Sequence, residues 1–97
     1  MDEMQKYDRR ARLYDFYGPL LTDHQRRIYE EVVLNDYSLS EVAQDEGISR
    51  QGVHDLIRRC DRILEDYESK LGLAAKFEKI GELVRGTALE EKILRIL

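Results

Sequence analysis

Cysteine is nearly absent from the 97-residue chain, which contains Cys60 alone. A single cysteine cannot form an intrachain disulfide, so a disulfide framework is excluded and a metal site is not expected. The sequence also has no apolar run approaching about twenty residues, and its N-terminal stretch, MDEMQKYDRR, is charged throughout. We therefore expect one cytoplasmic domain with neither a signal peptide nor a membrane span.

Motifs that would support enzyme chemistry are also missing. The sequence has no glycine-rich phosphate loop and no cysteine or histidine cluster with metal-ligand spacing. Its possible general bases, His24 and His54, fall in different predicted helices. The adjacent carboxylates Glu30 and Glu31 point to different sides of a helix. We predict a protein that is not an enzyme and that holds no cofactor.

Residues 39–64 have the pattern of two helices joined by a glycine turn. Ser40 is predicted to cap the first helix, over residues 41–46, because a serine hydroxyl can accept from an unpaired N–H of the first turn. Gly47 ends this helix, since glycine adopts the left-handed conformation that follows many helices. Ser49 is predicted to cap the second helix. The pattern indicates a helix-turn-helix in an all-α fold.

The two faces of this motif differ in polarity. Ile48 and Val53 are predicted to form a hydrophobic staple, and the residues expected in a shared interior are Val42, Ile48, Val53, Leu56 and Ile57. The opposite face carries donors and acceptors of the kind that read base edges and phosphates: Arg50, Gln51, His54, Asp55, Arg58 and Arg59. The alternative is a plain helical hairpin with a solvated charged face.

The net charge of −4 weighs against binding to nucleic acid, because affinity for DNA comes largely from the release of counterions from phosphates. The charge is unevenly distributed, however. Between Ser49 and Arg62, four arginines against Asp55 and Asp61 leave a local charge of +2. We expect weak non-specific binding through a small basic face, or a protein or a structured RNA as the partner instead.

The N-terminal part predicts a helix over residues 2–17. Gly18 and Pro19 end it, because glycine permits a left-handed turn and proline cannot continue a helix. The aromatic face of this helix consists of Tyr7, Tyr14, Phe16 and Tyr17. Core or dimer packing explains this face better than base stacking, because the spacing is helical and basic residues do not interleave with the rings.

Thr22 and Gln25 have the spacing of a capping box, which predicts a second helix up to about Leu34 and then a turn at Asn35 and Asp36. The apolar residues expected to face the core here are Ile28, Val32, Val33, Tyr37 and Leu39. Helix N-termini attract phosphates, so this one could clamp a DNA backbone with Thr22, His24, Arg26 and Arg27. An ordinary capped helix with exposed arginines is the alternative.

An apolar seam continues along the second motif helix up to Gly72, and it consists of Val53, Ile57, Cys60, Leu64, Tyr67 and Leu71. A seam of this length needs a covering partner. Residues 73–97 have their own apolar stripe, a break at Gly86 and a second capping box from Thr87 to Glu90. We divide the chain into a helix-turn-helix domain, 1–72, and a C-terminal helical segment, 73–97, for dimerisation or core capping.

The expected assembly is a homodimer, because helix-turn-helix modules commonly pair about a two-fold axis and an apolar C-terminus rarely stays free in water. In this prediction the helix after Gly72 packs on the seam of the partner. The contact residues would be Leu64, Tyr67, Leu71, Phe77 and Ile80. A closed monomer is the alternative.

Three stretches carry a resemblance to a known family: LYDFYGPLLTDHQR (13–26), LSEVAQDEGISRQGVHD (39–55) and LEDYESKLGL (64–73). They resemble the YlxM-type small bacterial DNA-binding proteins, and the resemblance covers residues 13–73. This family is similar to region 4 of sigma-70 factors, the helix-turn-helix that reads a promoter element. The resemblance also implies a role in the signal recognition particle pathway.

Residue roles follow from the resemblance. It implies base-facing positions at Arg50, Gln51, His54 and Asp55, and backbone-facing positions at Thr22 and Arg26. This sequence departs from the pattern at Glu46, where an apolar residue is usual, and at Gly52, where alanine is usual. The leading hypothesis is a transcriptional regulator that binds duplex DNA. The alternative is a non-enzymatic adaptor that binds the protein or the RNA of the signal recognition particle.

Overall fold

The computed structural model describes residues 2–97, and within that range every regular element is a helix. The elements are α1 (Glu3–Tyr17), a 3-10 turn (Gly18–Leu20), α2 (Asp23–Tyr29) with a π-helical last turn (Glu30–Leu34), α3 (Leu39–Glu46), α4 (Arg50–Leu71), α5 (Leu73–Val84) and α6 (Leu89–Ile96). The predicted all-α fold is confirmed.

The core lies where α1, α2 and α3 pack on one side of α4. Its fully buried large side chains are Tyr17, Ile28, Tyr29, Val42, Val53, Cys60 and Leu64. The seam of α4 is therefore covered by helices of the same chain from Val53 to Leu64, whereas Leu71 at its end is 45% exposed. Burial of such side chains is the main favourable contribution to folding, at roughly 25 cal/mol per Å² of apolar surface.

The intrachain packing contradicts the predicted dimer contact at Leu64, Tyr67 and Phe77. Leu64 is only 1% exposed in the single chain. The ring of Tyr67 stacks on Tyr17 with centroids 5.9 Å apart, and Phe77 packs on Phe16 at 5.0 Å. Intrachain partners already occupy these three side chains, whereas Leu71 is 45% exposed.

The end of α1 is at the predicted place but has a different cause. Asp2 caps the helix by accepting from the Gln5 N–H at 2.8 Å, and the helix ends before Gly18. Gly18 has φ −52°, which is not left-handed. A Cβ at this position would lie 2.9 Å from the ring of Tyr14, so glycine is needed here for the close approach of an aromatic side chain.

The predicted capping box of α2 is confirmed, because Thr22 Oγ1 accepts from the Gln25 N–H at 3.1 Å and the Gln25 side chain accepts from the Thr22 N–H at 3.0 Å. The predicted turn after Leu34 contains Asp36 at φ 59°. Tyr37, expected to return to the core, is instead 49% exposed. It lies in the loop before α3, where no helix covers it.

The helix-turn-helix has its predicted turn but a different start. Ser38, not Ser40, caps α3, since its Oγ accepts from the Glu41 N–H at 3.0 Å while Ser40 lies inside the helix. Gly47 has φ 68°, as predicted, and Ser49 Oγ accepts from the Gly52 N–H at 2.9 Å.

The interior of this motif matches the prediction except at Ile48. Val42, Val53 and Ile57 are buried, and Leu56 is half-buried. Ile48 is 38% exposed, because it sits at the tip of the turn between the two helices. Its side chain still lies beside the first turn of α4, within 3.9 Å of where a Cβ at Gly52 would stand.

A carboxylate joins α4 to α5 across the left-handed Gly72 turn. Glu68 accepts from the Tyr17 hydroxyl at 2.6 Å and from the N–H groups of Ala74 and Ala75 at 3.1 Å each. Tyr17 in turn accepts from the Leu73 N–H at 3.1 Å. Desolvation acts to raise the pKa of Glu68, but these hydrogen bonds outweigh it and lower the pKa below the ordinary value.

The C-terminal segment begins against α1, where Ala74 is buried, and the molecule as a whole is elongated. The molecule is 51 Å long with a radius of gyration of 15.8 Å, whereas a compact chain of this length would have about 12–13 Å.

The second predicted capping box is wrong: Glu90 accepts from the Gly86 N–H at 2.6 Å, and the hydroxyl of Thr87 donates back to the Val84 carbonyl. Gly86 has a left-handed conformation, φ 75°, so the chain changes direction just before Thr87.

Candidate nucleic-acid interface

The N-terminal half of α4 presents one polar face to solvent, opposite the side that packs on α1, α2 and α3. Ser49 caps this helix, and its exposed residues are Arg50, Gln51, His54, Asp55, Arg58 and Arg59. Helical geometry aligns residues three and four apart, so these side chains form a continuous surface of about two turns. We call this surface, residues 49–59, the α4 face.

Asp55 organises the centre of the α4 face. Its Oδ1 accepts from Gln51 Nε2 at 2.9 Å and lies 3.9 Å from His54 Nδ1. All three side chains are exposed, so the hydrogen bond orients the Gln51 amide without burying it, and the His54 ring lies beside the carboxylate beyond hydrogen-bond distance. The face thus offers amide, imidazole and carboxylate groups beside one another, which is the mixed chemistry that can distinguish base edges.

The arginines of α4 are free of internal partners in the described part of the chain. These arginines are Arg50, Arg58, Arg59 and Arg62. Among residues 2–97, none of the four has a carboxylate oxygen within 4.0 Å of its guanidinium. From the sequence alone, Asp61 counts against the charge of these arginines. In the structure Asp61 instead binds Arg10 at 2.6 Å and accepts from the Tyr29 hydroxyl at 2.7 Å. The guanidinium groups therefore remain available to an external anion.

The cations predicted at the start of α2 are less available. Arg26 is half-buried, and its Nε is buried without a hydrogen-bond partner among residues 2–97. Arg27 donates from Nη2 and Nε to Glu46 Oε1 at 2.5 and 3.2 Å, and His24 Nε2 lies 3.5 Å from the same oxygen. The structure brings His24 and Arg27 together at Glu46, the last residue of α3, and it pairs Arg27 internally.

Two residues at this surface were not predicted as part of it. Leu39 was expected to lead into the core, but it is half-buried and lines a shallow groove with Arg50, Gln51 and His54. Glu46 was seen only as a departure from an apolar pattern. An acid at an otherwise apolar position was the one signal in the sequence for the contact with Arg27.

Other chemistry has little support near this face. Within residues 2–97, no group of three or more His, Cys, Asp and Glu side chains could hold a metal ion, and no helix is long and apolar enough to cross a membrane. Burial, with a smaller contribution from Asp61, raises the pKa of the Cys60 thiol to about 11. The thiol therefore stays protonated near neutral pH and is a poor nucleophile.

Comparison with known proteins gives matches along nearly the whole chain. The family described as "Putative helix-turn-helix protein, YlxM / p13 like" (UPF0122) matches residues 4–95. The chain is 56% identical to a UPF0122 protein of Caldanaerobacter subterraneus, over 70% of this chain and 58% of that protein. It is 44% identical to a UPF0122 protein of Thermoanaerobacter sp., over 88% of this chain and 81% of that protein. The resemblance therefore extends beyond residue 73, where the sequence reading had ended it.

Proposed function

Because this chain belongs to the UPF0122 family of YlxM/p13-like helix-turn-helix proteins, we propose that it binds duplex DNA through the α4 face and regulates transcription. The observation that carries this proposal is the row of unpaired arginines on the exposed side of a helix whose other side is anchored in the core. Such groups gain most from phosphate, because no internal ion pair has to be broken first.

The order of residues along α4 suggests that its first turns contact base edges and its later residues contact phosphates. Arg50 and Gln51 lie in the first turn, which enters the major groove in helix-turn-helix complexes, so they are assigned to base edges together with His54 and Asp55. Arg58 and Arg59 lie about two turns further on, roughly 12 Å along the axis, and are assigned to phosphates. We assign these side chains to binding alone and propose that the protein is not an enzyme.

The start of α2 supplies a second, weaker contact to the DNA backbone. Thr22 uses its oxygen as an acceptor for the cap, but its hydroxyl hydrogen is free to donate to a phosphate. Arg26 and Arg27 stand beside it, and the first turn of the helix contributes a positive end. In this proposal α2 fixes the orientation of α4 on the duplex and reads no sequence.

A homodimer is also proposed, with the contact moved from the seam to α6. This helix packs chiefly against α5, and several large apolar side chains of the two helices are more than half exposed: Leu83 at 80%, Leu89 at 55%, Leu94 at 63% and Ile96 at 80%. An apolar surface of this kind typically binds another protein. A second copy is favoured, because two half-sites would multiply the weak contact of one small basic face.

Light scattering tests the dimer. The wild-type chain at about 100 μM, well above ordinary dimer dissociation constants, should have twice the monomer mass. Ile96→Glu should return it to monomer mass with its helical circular dichroism signal retained, because this side chain is 80% exposed and has no core role in the single chain. A wild type that stays monomeric at that concentration rules the dimer out.

A second candidate function is an adaptor that binds the protein or the RNA of the signal recognition particle. The net charge of −4 favours the protein component as its partner, because the chain as a whole repels polyanions, RNA included. Retention of genomic duplex fragments at about 50 mM salt, where phosphate contacts are strong, separates the two. Retention that declines steeply with added salt supports the regulator. Retention of the ribonucleoprotein alone, with no duplex bound, supports the adaptor.

A further inference from the structure

One polar cluster is not explained by the α4 face, and it lies where α2 meets α3. The Glu46 carboxylate is nearly enclosed, with its side chain 14% exposed, whereas the Arg27 side chain is 54% exposed. Both close Arg27 donors, Nη2 and Nε, point at Glu46 Oε1. A short contact of this kind holds the guanidinium at the surface in one orientation and leaves its outer side toward solvent.

The pair matters because a carboxylate and a phosphate compete for the same donors. Arginine binds either anion through a planar fork of N–H groups, and once Glu46 holds that fork the pair has no net charge. Counterion release depends on cations that neutralise phosphates, so a neutralised arginine adds little to affinity. Arg27 differs in this respect from Arg50 and Arg58, which have no such partner.

We propose that Glu46 sets the affinity of this chain for duplex DNA by occupying Arg27 in place of a backbone phosphate. The proposal rests on the DNA-binding function above and adds a residue that opposes it. In this proposal the unpaired arginines of α4 contact the DNA in every complex. Arg27 joins them only when its pair with Glu46 opens, so removal of the Glu46 charge should strengthen binding.

The test compares Glu46→Gln with wild type in the full chain, on a mixed-sequence duplex and over a range of salt concentrations. Glutamine keeps the size and the acceptor oxygen but removes the charge. One more phosphate neutralised should steepen the slope of log affinity against log salt by about 0.9 and should tighten binding about five- to tenfold at about 50 mM salt. The double variant Glu46→Gln with Arg27→Gln should return to wild-type affinity, since the intact pair contributes nothing.

Asp66→Asn is the matched control, because it changes the net charge by the same amount and also breaks an ion pair, to Lys70 at 2.9 Å. It lies about 24 Å along α4 from Arg50. We expect its affinity to change less than twofold. Circular dichroism melting checks that each variant is folded, and Glu46→Leu replaces Glu46→Gln if the latter does not fold, since leucine also removes the charge from this nearly buried position.

Three results would overturn the proposal: no gain with Glu46→Gln, an equal gain with Asp66→Asn, or a double variant that binds less tightly than wild type. The last would mean that Arg27 already contacts a phosphate while paired. A wild type that binds no duplex at any salt concentration is a different result. It would defeat the DNA-binding function itself, and this proposal with it.

Discussion

The two halves of α4 use their charged residues in opposite ways. In the N-terminal half, Arg50 and Arg58 are exposed and have no ion-pair partner among residues 2–97. In the C-terminal half, Asp61 binds Arg10 at 2.6 Å and Glu65 binds Arg9 at 2.7 Å. One continuous helix is thus a candidate binding surface at one end and a structural support for α1 at the other.

This difference separates the net charge of the chain from the charge on its α4 face. The chain is acidic overall, but several of its carboxylates are committed to internal contacts with α1 and α5. An acid held by an arginine repels an approaching phosphate less than a free one does. The quantity that matters is the number of cations left unpaired on one face.

The largest effect is expected from Val53→Asp, which removes the support beneath the α4 face. Val53 is 0% exposed where α3 and α4 pack together, so an unpaired carboxylate there should cost at least about 3–5 kcal/mol and unfold the domain. Loss of the helical signal and of the melting transition in circular dichroism would show this. A soluble variant with wild-type melting would mean that the two motif helices do not pack as described.

Arg50→Ala and Arg58→Ala test the free end of the comparison. Neither side chain supports the core, so melting should be unchanged. If Arg50 reads a base, Arg50→Ala should cost about 1–3 kcal/mol of binding free energy and relax the base preference at one position. Arg58→Ala should weaken binding to all sequences alike and flatten the slope of log affinity against log salt by about 1. Arg9→Ala, which removes a paired arginine on α1, is the control. Equal affinity of all three variants and wild type for every duplex would refute the regulator.

Glu68→Ala tests the structural end. It removes an acceptor shared by the Tyr17 hydroxyl and two N–H groups of α5, which should lower the free energy of unfolding by about 1–2 kcal/mol. The pKa of Glu68 is lowered in the folded state, so this stabilisation is fully present above the ordinary value of 4.5. It should disappear as the pH falls through the lowered value.

Urea melts of wild type and Glu68→Ala at several pH values measure this difference. The gap between them should be constant near neutral pH and should close in acid. The exposed Asp66→Asn variant should show no comparable gap at any pH, because surface ion pairs contribute little. A gap that widens in acid would contradict the assignment of Glu68 as a cap in its charged form.

Local signals in the sequence predicted the parts of the fold that depend on a few neighbouring residues. Gly47, Ser49 and Gly72 mark helix ends where the structure has them, since caps and left-handed turns are made within one turn of helix. The cap of α3 was predicted at Ser40 and lies at Ser38. Both precede the apolar run, and the choice depends on the path of the loop from α2.

Tertiary contacts decided what the sequence could not. The stripe on α4 predicted that something covers it, but any apolar face would fit, and the covering helices are α1, α2 and α3. Tertiary contacts also decide whether each arginine of the candidate site is paired with a carboxylate. Whether Asp61 neutralises its α4 neighbours depends on Arg10, 51 residues away in the chain. A helical pattern fixes which face a side chain occupies and leaves its long-range partner open.

The smallest effect is expected from Gly52→Ala, which lies in the first turn of α4. Alanine should favour a helix by up to about 1 kcal/mol over glycine. Its Cβ, however, would stand 3.1 Å from Ser49 Oγ, the atom that caps the helix, so part of the gain is lost in moving that hydroxyl. We expect a net change within about 0.5 kcal/mol, or a shift of about 3 °C or less in melting temperature for a domain of this size. A fall of more than about 1 kcal/mol would show that the Ser49 cap cannot move, and that the start of the α4 face is as tightly packed as its structural end.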